Sequence, residues 1–143
     1  MEEIIKKLRD NGCKITPQRR AVIQALLHFE KFPTALEILN DVKRANPDLG
    51  LDTVYRNLNL LIGIGVVNQI NLPGKDVKVF ELVINDHHHH LVCLGCGEVN
   101  CLNYCPVDEE SLQKVAGVEF QITGHSLELY GYCKKCKETR TQE

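Results

Sequence analysis

The sequence carries two short motifs of the same design, Cys93-Leu94-Gly95-Cys96 and Cys133-Lys134-Lys135-Cys136. Two residues between cysteines form a tight turn that brings two thiolates within about 4 Å of each other, and two such turns complete a tetrahedral four-cysteine zinc site with Zn–S distances of about 2.3 Å. The 36 residues between the motifs, 97 to 132, exceed the roughly 15 to 20 of a common zinc ribbon. A small subdomain is therefore expected to be inserted there and stapled by the ion. A redox-active pair is the competing reading, but no thioredoxin-like strand, helix and strand pattern surrounds either motif.

His87-His88-His89-His90 lies just ahead of the first motif, and His90-Leu91-Val92-Cys93 should be extended. Alternate side chains on a strand point to opposite faces, so His87 and His89 share one face and His88 and His90 the other. One strand can thus serve two metal sites, and imidazole suits zinc, iron and nickel alike. A merely solvated polar run is the plainer alternative. Further possible ligands are Asp108-Glu109-Glu110 at a helix start, where acids are favoured by the helix dipole in any case, His125 at the head of a strand, and Glu81 on a strand before the histidine run. Cys101 and Cys105 lie outside both motifs and can ligate metal, form a redox pair or simply pack; Cys13 reads as core.

All but two of the seven cysteines and six histidines fall beyond residue 86, the exceptions being Cys13 and His28. An odd number of thiols without an export signal argues for metal or redox chemistry and against a disulfide framework. With 43% hydrophobic and 25% charged residues, the 143-residue chain is neither disordered nor collagenous. It has no run near the roughly 18 apolar residues of a membrane span and no apolar signal-peptide core in MEEIIKKLRD, which places it in the cytoplasm as an expectation. Net charge is −2. Residues 1 to 83 hold 12 Lys/Arg against 10 Asp/Glu, and residues 84 to 143 hold 5 against 9. Any nucleic acid is expected to meet the first half.

That half reads as helices followed by a hairpin. Ile4, Ile5 and Leu8 share one face of a helix that Gly12 can end. Thr16-Pro17 starts a second helix with Val22, Ile23, Leu26 and Leu27 as its stripe, and Thr34 with Glu37 makes a capping box for a third that ends near Asn46-Pro47. Asp52-Thr53 opens a fourth, with Val54, Leu58, Leu61 and Ile62 inward and Thr53, Tyr55, Arg56 and Asn59 largely outside that stripe. Val66 to Leu72 and Val77 to Val83 flank the turn Pro73-Gly74-Lys75-Asp76, a hairpin or wing. Helices followed by a wing suggest a winged helix-turn-helix, in which the last helix enters the major groove. In Tyr55-Arg56-Asn57 a ring able to contact base methyl groups adjoins a guanidinium able to bind phosphate or guanine. A small helical domain without a ligand remains the alternative.

Taken together, Gly12-Cys13-Lys14-Ile15-Thr16-Pro17-Gln18-Arg19, Asp52-Thr53-Val54-Tyr55-Arg56-Asn57-Leu58, the histidine run with Cys93-x-x-Cys96-Gly97, and Gly124-His125-Ser126-Leu127-Glu128-Leu129-Tyr130-Gly131 resemble the ferric uptake regulator (Fur) family of metal-dependent repressors over almost the whole chain. The resemblance implies an α+β chain. A winged helix-turn-helix domain, residues 1–83, would precede an α/β dimerisation domain with a four-cysteine zinc site, residues 84–143. It also implies a homodimer that closes onto double-stranded palindromic operator DNA when metal binds, and no enzymatic activity. No H-E-x-x-H motif, nor H-x-E with P-C-x-x-C, is present to suggest a zinc hydrolase or deaminase.

Residue by residue, the resemblance places structural Zn2+ on Cys93, Cys96, Cys133 and Cys136, and a sensory ion on His87, His89, Asp108 (or Glu109) and His125. A hinge ion falls on Glu81, His88 and His90, and DNA contacts on Lys14, Arg19, Tyr55 and Arg56. The hinge set departs from iron and peroxide sensors: Phe32-Pro33-Thr34 stands where they carry a histidine, and Cys101 where they often carry an acid, which argues against a ferrous hinge site and leaves one that either takes Cys101 as a ligand or is incomplete. The unbroken histidine run, Cys105-Pro106-Val107-Asp108 and Thr123-Gly124-His125 look most similar to the zinc uptake regulator (Zur) branch. Glu81 is iron-like, and Val83 replaces a cysteine that many zinc regulators carry. The expectation is a zinc-responsive repressor of metal-uptake genes. An iron-responsive regulator using Fe2+ is the alternative, the peroxide branch is the least expected, and a zinc-stapled protein-interaction module is the rival of another class.

Overall fold

The computed structural model describes residues 1–73, 76–83 and 88–141. Gly74 and Lys75 of the expected turn, and His87 of the histidine run, lie outside the described residues. The chain forms two compact units, Met1–Asp86 and His87–Glu143, dividing shortly after the expected boundary between residues 83 and 84.

In the first unit, α1 (Glu2–Asp10) buries Ile4, Ile5 and Leu8. Gly12 follows it at φ +71°, a left-handed conformation that glycine adopts without a Cβ clash, and its N–H bonds to the Arg9 carbonyl. α2 (Pro17–His28) is capped by the Thr16 hydroxyl, which accepts from the Arg19 N–H at 3.1 Å. Its inward face differs from the expected stripe: Ala25 is buried and Leu27 is 41% exposed. α3 (Ala35–Val42) carries the full capping box, with Thr34 and Glu37 each accepting the other's backbone N–H at 3.1 Å. It ends sooner than expected, although turn hydrogen bonds continue to Asn46.

α4 (Leu51–Gly63) begins one residue before the expected Asp52-Thr53 start, with Gly50 as its cap. It buries Val54, Asn57, Leu58 and Leu61. Tyr55, Arg56 and Asn59 are exposed and Thr53 is half-buried. β1 (Val67–Leu72) and β2 (Val77–Leu82) form the antiparallel wing, in the register Val67 to Leu82 through Leu72 to Val77. The Phe80 N–H donates to the Pro33 carbonyl at 2.9 Å and ties the wing to the start of α3. One apolar core running from Ile4 to Phe80 joins all of these elements.

The second unit is a three-stranded sheet in the order β4-β3-β5, formed by β3 (His89–Cys93), β4 (Val99–Leu102) and β5 (Glu128–Gly131). β3 is antiparallel to β4 and parallel to β5, so the chain between β4 and β5 is a crossover that contains α5 (Glu109–Ala116). The sequence reading anticipates no helix at the end of the chain. The structure adds α6 (Lys134–Thr141), which places Cys136 in a first helical turn. Among the described residues of this unit, the buried side chains are His89, His90, Val92 and Cys93. α5 buries none of its residues, and Val115, Val118 and Phe120 are exposed. A unit of this size with so little buried apolar surface needs a further source of stability.

Candidate metal centres and nucleic-acid interface

None of the seven cysteines forms a disulfide, and six of them fall into three ligand groups. In the first, the sulfur atoms of Cys93, Cys96, Cys133 and Cys136 all lie within 4.8 Å of one another, with Cys96 and Cys133 3.9 Å apart. Tetrahedral zinc with Zn–S near 2.3 Å requires sulfur separations of about 3.8 Å, so the set fits that ion. The first turn is held by the Gly97 N–H on the Cys93 carbonyl and docked by the Leu94 N–H on the Gly131 carbonyl. Gly95 must be glycine: a Cβ there would meet the Cys136 sulfur at 2.7 Å.

The protons in this cluster are unevenly held. The Cys93 thiol is lowered to about 6 by the N–H of Cys96 and then by that of Cys133. The Cys133 N–H donates to the Cys93 sulfur at 3.3 Å. The Cys136 thiol is pushed up to about 12, first by its hydrogen bond with Cys133 and then by that with Cys93.

The second group within this unit is His88, His90 and Cys101, whose donor atoms also lie within 4.8 Å of one another. The two-residue spacing puts both rings on one face of the extended chain, with centroids 4.9 Å apart. Cys101 on β4 is the register partner of His90 on β3. Glu81 is buried on β2 of the first unit.

The third group is His89, Cys105 and His125. The His89 Nε2 lies 3.1 Å from the Cys105 sulfur, the His125 Nε2 3.2 Å from it, and the two Nε2 atoms 3.3 Å from each other. Donor atoms around a tetrahedral zinc ion with Zn–N near 2.0–2.1 Å are about 3.3–3.6 Å apart. The opposite side of each ring is already engaged: His89 Nδ1 lies 3.2 Å from the Leu127 carbonyl, and His125 Nδ1 3.0 Å from Glu109 Oε1. A ring that donates from Nδ1 leaves the Nε2 lone pair for a metal.

Asp108, expected beside His89 and His125, is not part of this group. It precedes α5 and accepts a hydrogen bond from the Ser111 hydroxyl at 2.7 Å, which lowers its pKa below the ordinary value. Cys105, for which the sequence leaves ligation, redox chemistry and packing open, stands beside the two imidazoles instead. Neither its role nor that of Glu109 behind His125 is legible from spacing. The signals are one more thiol in a segment rich in ligands and, for Glu109, the resemblance that offers it as the alternative to Asp108.

The residues expected to meet DNA all belong to the first unit. Tyr55 and Arg56 project from α4, and Lys14 is exposed ahead of α2. Asn57, next to Arg56 in sequence, is turned inward. Its side-chain N–H donates to the Thr53 carbonyl at 2.9 Å, and its oxygen accepts from Arg19 Nε at 3.0 Å. Arg19 also donates to the Lys14 carbonyl. The buried amide thus ties the start of α2 to α4 and fixes a guanidinium that has three of its five donors left for a phosphate. Asn57→Ala is expected to cost about 1–3 kcal/mol of first-unit stability. It should also weaken DNA binding more than that loss of folded protein explains, which a melting curve and an anisotropy titration on the same sample would separate.

A winged helix unit followed by a unit whose central strand meets three ligand groups defines a metal-responsive regulator. The ferric uptake regulator family model matches residues 10–130, and the chain belongs to that family. It is 35% identical over 139 residues to the peroxide-responsive repressor PerR of Staphylococcus epidermidis, covering 96% of this chain and 91% of the relative. Among solved structures it is similar to the Vibrio cholerae ferric uptake regulator, with a TM-score of 0.67, 36% identity and 90% and 98% of the two chains covered. It is also similar to the Pseudomonas aeruginosa ferric uptake regulator with manganese, with a TM-score of 0.68, 31% identity and 90% and 96% covered. Among the described residues, no helix is long and apolar enough to cross a membrane.

Proposed function

We propose that the chain is a zinc-responsive repressor that binds palindromic operator DNA as a homodimer in the cytoplasm and controls metal-uptake genes. The observation that carries this reading is the sharing of β3: His90 faces Cys101, His89 meets Cys105 and His125, and Cys93 belongs to the four-thiol cluster. An ion bound to one group therefore orders the strand that presents the others. A thiol in every group favours zinc over ferrous iron, which prefers harder ligands. The exposed Leu112, Val115, Val118 and Phe120 supply apolar surface for the dimer.

Metal acts by binding the DNA-competent arrangement better than the alternative, and a coupling of about 1–3 kcal/mol changes operator affinity roughly 5- to 150-fold. The test is anisotropy of labelled operator-like DNA against protein that keeps its structural zinc, titrated with buffered Zn2+ and, anaerobically, with Fe2+. Tightening at free Zn2+ levels compatible with cellular zinc buffering is the expected result. A response confined to Fe2+ moves the chain to iron control. Affinity indifferent to either ion leaves a zinc-stapled interaction module.

The Staphylococcus relatives favour a second reading, regulation by peroxide. Under that reading, Fe2+-loaded protein exposed to hydrogen peroxide releases DNA while Zn2+-loaded protein keeps it.

A further inference from the structure

We propose that Cys105 is the anionic ligand of a soft-donor metal site with His89 and His125, that Glu109 positions His125 for it, and that Asp108 takes no part. This deepens the metal-responsive reading and rests on it. Three observations converge. The two Nε2 atoms and the Cys105 sulfur form a triangle with edges of 3.1, 3.2 and 3.3 Å, close to one face of a tetrahedron around zinc. Both imidazoles are engaged at Nδ1, by the Leu127 carbonyl and the Glu109 carboxylate. Ligating histidines are usually oriented by such a partner behind the ring, which fixes the tautomer and raises basicity. Finally, Asp108 is committed to Ser111 at the start of α5.

The choice of sulfur over oxygen sets the metal. When the ion binds, the Cys105 S–H bond breaks, its proton leaves to solvent and a metal–sulfur bond forms, so the site gains one negative charge from a polarisable donor. Two imidazoles and a thiolate select zinc and ions of similar softness over Mn2+ and Fe2+, which an oxygen ligand at the same place would favour. Glu109 accepts from His125 Nδ1 and so acts through the ring.

The experiment uses full-length protein with zinc retained in the Cys93, Cys96, Cys133 and Cys136 cluster, on a Cys101→Ser background that removes the thiolate of the neighbouring group. Co2+ is titrated anaerobically and the near-ultraviolet thiolate-to-cobalt charge-transfer band is followed. The band is expected to appear, to vanish with Cys105→Ser and to persist with Asp108→Asn. Glu109→Gln is expected to keep the band and weaken Co2+ binding about 10- to 100-fold. A band that survives Cys105→Ser, or Co2+ bound without any band, overturns the assignment.

Because a variant can misfold, the unmutated protein provides a second test. Two equivalents of Zn2+ beyond the structural ion, enough for both remaining ligand groups, should protect Cys105 from alkylation, as read by peptide mass spectrometry, and equal alkylation with and without those ions also overturns the proposal. The operator titration keeps the two readings apart. Metal-responsive DNA binding without Cys105 protection sinks only this ligand set. Protection without DNA binding sinks the repressor and leaves the site.

Discussion

Cys96→Ser is expected to release the structural ion and unfold the second unit while the first stays folded. Among the described residues, the second unit buries only Val92 and Cys93 as apolar side chains, whereas the first has a continuous core from α1 to the wing. Structural zinc contributes about 10–16 kcal/mol of apparent binding free energy in small domains, comparable with or above the roughly 5–15 kcal/mol net stability of a whole domain. Nothing in so thin a core can replace it. Zinc content by mass spectrometry and amide resonances of the two units would check the result. A second unit that keeps dispersed resonances without zinc would contradict it.

The same cluster sets a pH dependence. Zinc needs thiolates, so every proton a free sulfur retains must leave when the ion binds, and each such proton costs tenfold in affinity per unit of falling pH. Cys136, pushed up to about 12, is protonated throughout the neutral range and gives up its proton on binding. Cys93, lowered to about 6, has already lost its proton above that pH and must be counted below it. For protein whose second unit stays folded when the ion is withdrawn, zinc affinity should therefore rise with pH across neutrality and fall more steeply below about 6, whereas a unit that unfolds loses both perturbations and shows no such break. Competition with a chelator of known affinity, run at several pH values, measures the slope on each side.

The second large effect is expected at the exposed end of α4. Arg56→Ala should weaken operator binding by about 1–3 kcal/mol for each half-site it contacts, so a dimer with two copies loses the square of the single-site factor. Tyr55→Ala should lower affinity while relaxing sequence preference, because the ring carries base contact and no charge. Both side chains project away from the core, so melting temperature and zinc content should be unchanged. Anisotropy at two salt concentrations separates the roles: losing Arg56 reduces the salt dependence and losing Tyr55 leaves it alone. If neither variant changes DNA affinity, α4 is not the reading helix.

Much of the first unit is legible because its signals are local. A hydroxyl that can cap free amides three residues on determines the start of α2 at Thr16-Pro17 and of α3 at Thr34, whatever surrounds them. Strand alternation alone separates His89 from His88 and His90, and the two-residue spacing of each cysteine pair is itself a chelating turn. The family likewise follows from short runs such as Asp52 to Leu58 that are visible without coordinates.

Tertiary structure decided what depends on the course of the chain between such signals. Ala25 rather than Leu27 faces inward, which depends on where the neighbouring elements pack against α2 and not on the local pattern of apolar residues. Asn57 is buried because Arg19, 38 positions earlier, supplies a partner for its oxygen. Cys105 rather than Asp108 meets His89 and His125 because the crossover between β4 and β5 brings three distant segments together. Short range explains both lists: a cap, a turn and an alternating strand are satisfied within a few residues, whereas a ligand set drawn from positions 89, 105 and 125 exists only once the connecting loops have closed.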